Sequence, residues 1–417
     1  MEGEEMKTNL DRIVKDIEEL SKFNSTPGRG LTRFSFTEED RQARNYIKRE
    51  LEKLDLYVYE DAAGTVFGRM KDYPVEMPSI MVGSHFDSVK NGGNFDGPAG
   101  IAMGLEVMRS LVENNVKTAY PVEFVGMIEE EGGRFGGGVF GSRAMTVGVT
   151  LEELKANCDS DGISMAEAMA SFGLEPEKIS SAKRSPDEIR AFIELHIEQG
   201  PVLEKENLDV GLVEYIVGIA EYRIGIKGRP DHAGTTPMNL RKDALIAASE
   251  LVCQIEELAL SQGDGTVATV GAMDVFPGAA NIVPGEVELT VDIRSRNQDC
   301  IDGVVAGIKR SLKDKADSRG LAWEMRELLN VTPVTMSEKI LNTMQEKADE
   351  GGIGYKKMTS GAGHDAMIMA SMVDSGLVFV PSRDGRSHCP EEWTDYDQLQ
   401  KGIELIYHTI LGIGEVE

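Results

Sequence analysis

Cysteine is scarce in this chain: Cys158, Cys253, Cys300 and Cys389 stand far apart and form no CxxC pair. A disulfide framework is excluded, and reduced thiols of a cytosolic protein are the plain reading. Long apolar runs are missing as well. No window approaches a membrane span, and the start, MEGEEMKTNLDRIVKDIEEL, lacks the continuous apolar stretch of a signal peptide. Cytoplasmic residence, with no membrane partner, is the expectation. Positive charge is also short, with 44 Lys+Arg against 71 Asp+Glu and a formal net charge of −27. Such a surface repels a phosphate backbone, which argues against a nucleic-acid ligand. There is no low-complexity tract and no short repeat, so collagen-like and solenoid architectures fall away. What remains is an ordinary globular composition, 41% hydrophobic and 28% charged, over 417 residues. That length supports two domains, or one domain carrying an insertion.

Leu10, Ile13, Val14, Ile17 and Leu20 recur at helical spacing and predict an amphipathic first helix. A second helix is predicted after Thr37, whose hydroxyl can cap it while Asp40 answers three residues later. Short, nearly continuous apolar runs follow at Ile80–Val82, Val122–Ile128, Ala191–Ile197 and Leu377–Val380, with helical stretches at Gly100–Asn114 and Ser337–Glu350. Runs of that length, bounded by Gly, Pro or polar residues, read as strands buried on both faces, and their alternation with helices implies a mostly parallel α/β sheet. Between about Tyr222 and Asn330 the order changes to strand, helix, strand, strand, helix, strand, a ferredoxin-like βαββαβ unit. The expected architecture is an α/β domain formed by residues 1–215 and 331–417, with residues 216–330 inserted as a smaller domain.

The six histidines are His85, His196, His232, His364, His388 and His408. His85 closes the apolar run PSIMVGSH and His196 closes AFIELH, while Glu129-Glu130-Glu131 follows VEFVGMI. In an open α/β sheet ligands bind beyond the carboxyl ends of the strands, so these polar groups converge on one edge. Each signal has a plainer alternative. A lone strand-end histidine is more often a hydrogen-bonding residue, a glutamate run is usually a solvated face, and Asp96 in GGNFDGPAG can be a helix cap or turn residue. His232 on its own reads as a turn residue, Arg294 as a surface charge, and His408 as a surface residue. The joint placement is what carries weight.

The segments GSHFDSVKNGGNFDGPAGI, EEEGGRF, ELHIEQGP, DHAGTTPM, NIVPGEVELTVDIR, SGAGHDA and SHCPEE occur in this order. Together they resemble the M20 metallopeptidase superfamily, and more narrowly its hydantoinase/carbamoylase branch of amidases. That branch includes N-carbamoyl-L-amino acid hydrolases, allantoate amidohydrolases and β-ureidopropionases. The resemblance runs from about residue 30 to the C-terminus, with ELHIEQGP and HAGTTPM pointing to the branch.

The resemblance implies a catalytic domain holding two divalent metal ions per subunit, zinc first, with manganese, cobalt or nickel as alternatives. His85, Asp96 and His196 would hold one, and Asp96, Glu131 and His388 the other; imidazole and carboxylate oxygen suit such ions. Asp87 would orient the His85 ring. The glutamate triplet leaves a one-residue ambiguity, which the resemblance resolves with Glu131 as ligand and Glu130 as general base. The inserted domain would serve dimerisation and act as a lid. Its His232 would reach across a homodimer to the oxyanion, and Arg294, assisted by Asn281, would fix a substrate carboxylate. The backbone of Gly361-Ala362-Gly363 would line the substrate, with His364 as support. Two positions depart from the branch: Gly133, where serine is frequent, and Cys389, where a small polar residue is common. The expected activity is hydrolysis of a non-peptide C–N bond in a linear ureido acid, first an N-carbamoyl-L-amino acid, giving the amino acid, ammonia and carbon dioxide. Allantoate is the alternative substrate. An M20 dipeptidase or aminoacylase is disfavoured by the branch motifs, and a metal-free scaffold by five converging polar groups that are costly to pair.

Overall fold

The computed structural model describes residues 7–415. Its chain divides into two compact units, one of residues up to Glu214 with Thr335–Met358 and everything from Gly363 onward, the other of Tyr215–Val334 with Thr359–Ala362.

The first unit is built on a nine-stranded sheet. Its centre is parallel: Ser79–His85 lies between Val122–Met127 and Ile189–Ile197, and Ser375–Val380 follows on the far side of Ile189–Ile197. These strands read as unbroken apolar runs because helices cover both faces, and every residue of Ser79–His85 is buried. The helix Pro98–Glu113 packs behind them, apolar on nearly all sides, with proline at its first turn, where the missing N–H costs nothing. Where the sequence suggests a mostly parallel sheet, the flanks turn out antiparallel: Tyr57–Glu60 and Val66–Arg69 on one side, Val210–Ile216 on the other. The register sets up the site. His85 is level with Met127, and His196 with Phe379, so the parallel strands end together and release their next residues at one edge.

The second unit is a four-stranded antiparallel sheet in the order Ala322–Val331, Gly218–Lys227, Glu286–Ser295, Val267–Phe276. With the helices Ala244–Gln262 and Gln298–Arg319 on one face, this is the ferredoxin-like arrangement the strand–helix order predicts. Alternation explains the packing: Val287, Leu289, Val291 and Ile293 point into the helices and are buried, while Glu286, Glu288, Asp292 and Arg294 occupy the opposite face. Among the described residues no helix is long and apolar enough to cross a membrane.

Candidate metal centre

At the shared strand edge of the first unit, two groups of side chains meet around one carboxylate. His85, Asp96 and His196 form the first and Asp96, Glu131 and His388 the second, with the candidate donor atoms of each group within 4.8 Å of one another. Asp96 faces the two groups with different oxygens. Its Oδ1 lies 3.1 Å from His196 Nε2 and 3.7 Å from His85 Nε2, and its Oδ2 lies 3.3 Å from His388 Nε2. His388 Nε2 is in turn 3.3 Å from Glu131 Oε1.

Local structure fixes each donor. His196 closes its strand and directs Nδ1 to the Ile197 carbonyl at 3.0 Å, which leaves Nε2 for the centre. His85 directs Nδ1 to the Asp87 carbonyl, 3.3 Å away, and to Asp87 Oδ1 at 3.6 Å. Asp87 also accepts the backbone N–H groups of Glu130 and Glu131, at 3.1 and 3.2 Å. Asp87 thus meets the imidazole through its backbone carbonyl and holds the glutamate segment with its carboxylate. Gly97 has φ of 81°, and a Cβ there would come within 2.5 Å of the His85 ring, so the turn after Asp96 passes the imidazole only because the residue is glycine.

The glutamate triplet separates by direction. Glu129, at φ 53°, turns back and accepts the N–H groups of Arg134 and Phe135, shaping its own loop. Glu130 stands with Oε2 3.7 Å from His85 Nε2, and Glu131 faces His388. Electrostatics follow from crowding. Burial pushes the Glu130 carboxyl well above its ordinary range, against the pull of His85. Burial also opposes ionisation of Asp96, yet His196, His388 and His85 carry it well below its usual value. His388, bonded to Asp96 and Glu131, is pushed up to about 11. Burial and the nearby Glu194 raise Asp365 to about 7, and burial with a neighbouring imidazolium lowers His364, which lies over His196 with ring centroids 4.5 Å apart.

These residues fit a cation. His85 Nε2 is buried and has no hydrogen-bond partner, yet it is aimed among carboxylates too far away to bond it directly. Imidazole nitrogens and carboxylate oxygens around a shared aspartate are the donor set of a divalent site, and its positive charge offsets their mutual repulsion.

The remaining sequence candidates lie mostly in the second unit. His232 pairs with Ile282 in a short two-stranded ribbon, and the Ala233 N–H donates to the Asn281 carbonyl at 2.9 Å, so the exposed His232 and Asn281 lie at the same ribbon. Arg294 donates Nε and Nη2 to the two oxygens of Asp292, at 2.9 and 3.0 Å, and Nη1 to the Gly361 carbonyl at 2.7 Å. The Ala362 N–H donates to Ser360 Oγ at 3.2 Å, and Gly363 opens the return of the chain to the first unit. His408 is remote from all of these, bonded to Glu404 on its own helix.

Two residues escaped the sequence reading. Gln199 donates Nε2 to Asp96 Oδ2 at 2.7 Å from a left-handed turn of φ 55°. Glu392, buried, accepts four hydrogen bonds around Asp96 and His388. Both lie inside quoted motifs, ELHIEQGP and SHCPEE, but neither has a residue type or spacing that singles it out.

The model of peptidase family M20/M25/M40 matches residues 81–412. The chain belongs to this family. An N-carbamoyl-L-amino-acid amidohydrolase of Paenarthrobacter aurescens is 45% identical over 96% of this chain and 97% of its own. An allantoate amidohydrolase of Bacillus subtilis is 33% identical over 97% and 98%. A crystal structure of a hydantoinase/carbamoylase-family amidase from Burkholderia multivorans superposes with a TM-score of 0.89 at 32% identity, covering 98% of each chain. Within the M20 family the chain is therefore an amidohydrolase of the hydantoinase/carbamoylase branch, acting on C–N bonds other than peptide bonds.

Proposed function

We propose that this amidohydrolase cleaves the carbamoyl C–N bond of a linear ureido acid, first an N-carbamoyl-L-amino acid, releasing the amino acid, ammonia and carbon dioxide. The single observation that carries the reading is Asp96, whose two oxygens face two separate donor groups. In this reading His85, Asp96 and His196 hold one divalent cation, and Asp96, Glu131 and His388 the other, zinc first and manganese, cobalt or nickel as alternatives. Bound there, the pair would supply Lewis acidity and a water of lowered pKa.

The chain's own groups do the rest. Glu130, made more basic by burial and by the neighbouring carboxylates against the pull of His85, takes a proton from the attacking water and delivers it to the leaving nitrogen. Asp87 holds His85 and the Glu130–Glu131 backbone in register. His232 donates to the carbonyl oxygen as negative charge grows on it, supplied by the partner in a homodimer. The exposed edge strand Val267–Phe276, with Val267, Met273 and Phe276 uncovered, supports pairing with a second copy. Arg294, with Asn281, meets the substrate carboxylate through the N–H groups that Asp292 and Gly361 leave unused, and the Gly361-Ala362-Gly363 backbone lines the substrate.

The 45%-identical relative bears the carbamoyl-amino-acid name, which sets the order of substrates; the 33%-identical relative makes allantoate the second reading. The test is ammonia release by metal-reconstituted protein from a panel of N-carbamoyl-L-amino acids and from allantoate. The expected outcome is a higher kcat/KM for at least one carbamoyl amino acid than for allantoate. The reverse order selects the second reading, and ammonia from neither overturns both.

A further inference from the structure

Glu392 is remote in sequence from Asp96, yet it binds the backbone that carries it. Its Oε1 accepts the N–H groups of Phe95 and Asp96, at 2.9 and 3.0 Å. Its Oε2 accepts the Ser387 hydroxyl at 2.8 Å and the His388 N–H at 3.3 Å. The Ser387 Oγ also lies 2.8 Å from Asp96 Oδ2. The carboxylate is 4% exposed, and it fills the hollow of the turn before Asp96 so fully that a Cβ on Gly93 would overlap it at 2.2 Å. Among the described residues no cation pairs with it; its partners there are backbone and hydroxyl donors.

We propose that Glu392 is a positioning residue which sets the distance between Asp96 and His388, and with it the fit of the second cation group. The inference rests on the reading that Asp96, Glu131 and His388 hold a cation. The argument is geometric. Asp96 sits on a turn entering a helix, and His388 sits at φ 56° on a loop about 290 residues away in the chain, so no shared secondary structure relates them. A buried acceptor gripping both backbones ties the two segments together, and such outer contacts commonly change metal affinity by about 10–100-fold. Glutamate suits the task because its carboxylate has two oxygens, each able to accept, and can satisfy donors on both. Glutamine of the same size would turn an NH2 toward two N–H groups or toward the Ser387 and His388 donors.

The experiment compares the parent, Glu392→Gln and Glu392→Asp as full-length protein reconstituted with cobalt(II). It reads the melting temperature of the metal-free form, the affinity of each bound ion by chelator competition, the visible cobalt spectrum, and kcat with KM. For Glu392→Gln we expect a metal-free melting temperature within a few degrees of the parent. One of the two ions should bind on the order of 10–100-fold more weakly, with a changed cobalt spectrum and a kcat that recovers as metal is raised. Glu392→Asp keeps the charge but not the reach, should show the same effects to a smaller degree, and decides the matter if the glutamine variant does not fold. Parental affinity and spectrum in the variants, with or without a lower melting temperature, would overturn the proposal and leave Glu392 a structural tie. A parent that takes up no metal at all would instead overturn the metal-centre reading itself, so the two failures are distinct.

Discussion

At the scale of single residues, the informative groups are those that orient another side chain. Arg294 is the clearest case, because Asp292 sits two residues earlier on the same strand face and takes its Nε and Nη2 in a two-point pair at 2.9 and 3.0 Å. That contact fixes the guanidinium plane, and with Nη1 also donating to the Gly361 carbonyl, one N–H on each terminal nitrogen is left for a second carboxylate. Replacing Asp292 by Asn removes the charge and one acceptor while keeping the shape. We expect KM for a carboxylate-bearing substrate to rise about tenfold with kcat nearly unchanged, the signature of lost ground-state binding. Steady-state kinetics on parent and Asp292→Asn check this; an unchanged KM refutes it. How far such residues were legible differs in kind. His85 and His196 stand out because an apolar strand ends in an imidazole, and the Glu129–Glu131 run because it follows such a strand, although only the family resemblance picks Glu131 out of it. Gln199 and Glu392 act from turns whose conformation, φ 55° for Gln199, leaves no mark in residue type. Asp292 was passed over because alternation marks its face as polar without saying what the polar group holds.

At the scale of elements, helices and strands were readable wherever one period dominated, while the partners of buried charges inside them were not. The first helix, Leu10–Ser21, follows from its apolar spacing, but Asp16 on its inner side is fully buried. It meets Arg109 of Pro98–Glu113 through both oxygens, at 2.5 and 3.1 Å, and Tyr46 of Glu38–Glu52 donates to it at 2.6 Å. Glu50 of that same helix accepts from Arg109 at 2.9 Å. Three helices thus share one ionic joint. The second helix shows a smaller departure: Thr37 caps it, but the Asp40 carboxylate accepts the Phe36 N–H at 2.6 Å and pairs with Arg44 instead of answering Thr37. Spacing gives the helix and its start, while the partner of a buried charge depends on which helix lies opposite. Asp16→Ala removes the two-point partner of a buried Arg109, leaving Glu50 at 2.9 Å and Glu106 at 3.7 Å, and should cost at most about 3–5 kcal/mol. Urea unfolding at neutral pH measures it, and a loss below 1 kcal/mol would mean that Arg109 finds solvent or Glu50 alone suffices.

At the scale of the whole molecule, the early and late ends of the described chain are joined by one carboxylate. Glu404, on the last helix, accepts the Lys7 N–H at 2.9 Å, the Thr8 N–H at 3.0 Å and the Thr8 hydroxyl at 2.7 Å, with His408 Nε2 3.1 Å away. Burial alone would raise its pKa, but the bonds from His408, Lys7 and Thr8 prevail and carry it from 4.5 down to about 2. A carboxyl lowered in the folded state binds its proton more readily when unfolded. Its stabilisation is therefore complete above about 4.5 and lost as pH falls towards 2. His408 is 38% exposed, so solvent screens part of the interaction, and about 1–2 kcal/mol at pH 7 is the appropriate scale. A chain of net charge −27 also sheds self-repulsion on acidification, which works in the opposite direction and hides any single group in the parent profile. Comparing parent with Glu404→Gln removes that background, since both chains carry it. We expect the difference in unfolding free energy to shrink steadily as pH falls below about 4.5. Denaturant unfolding across that range checks it; a difference of the same size at about pH 3 as at neutrality would show that the tie is steric and owes nothing to the ionised Glu404.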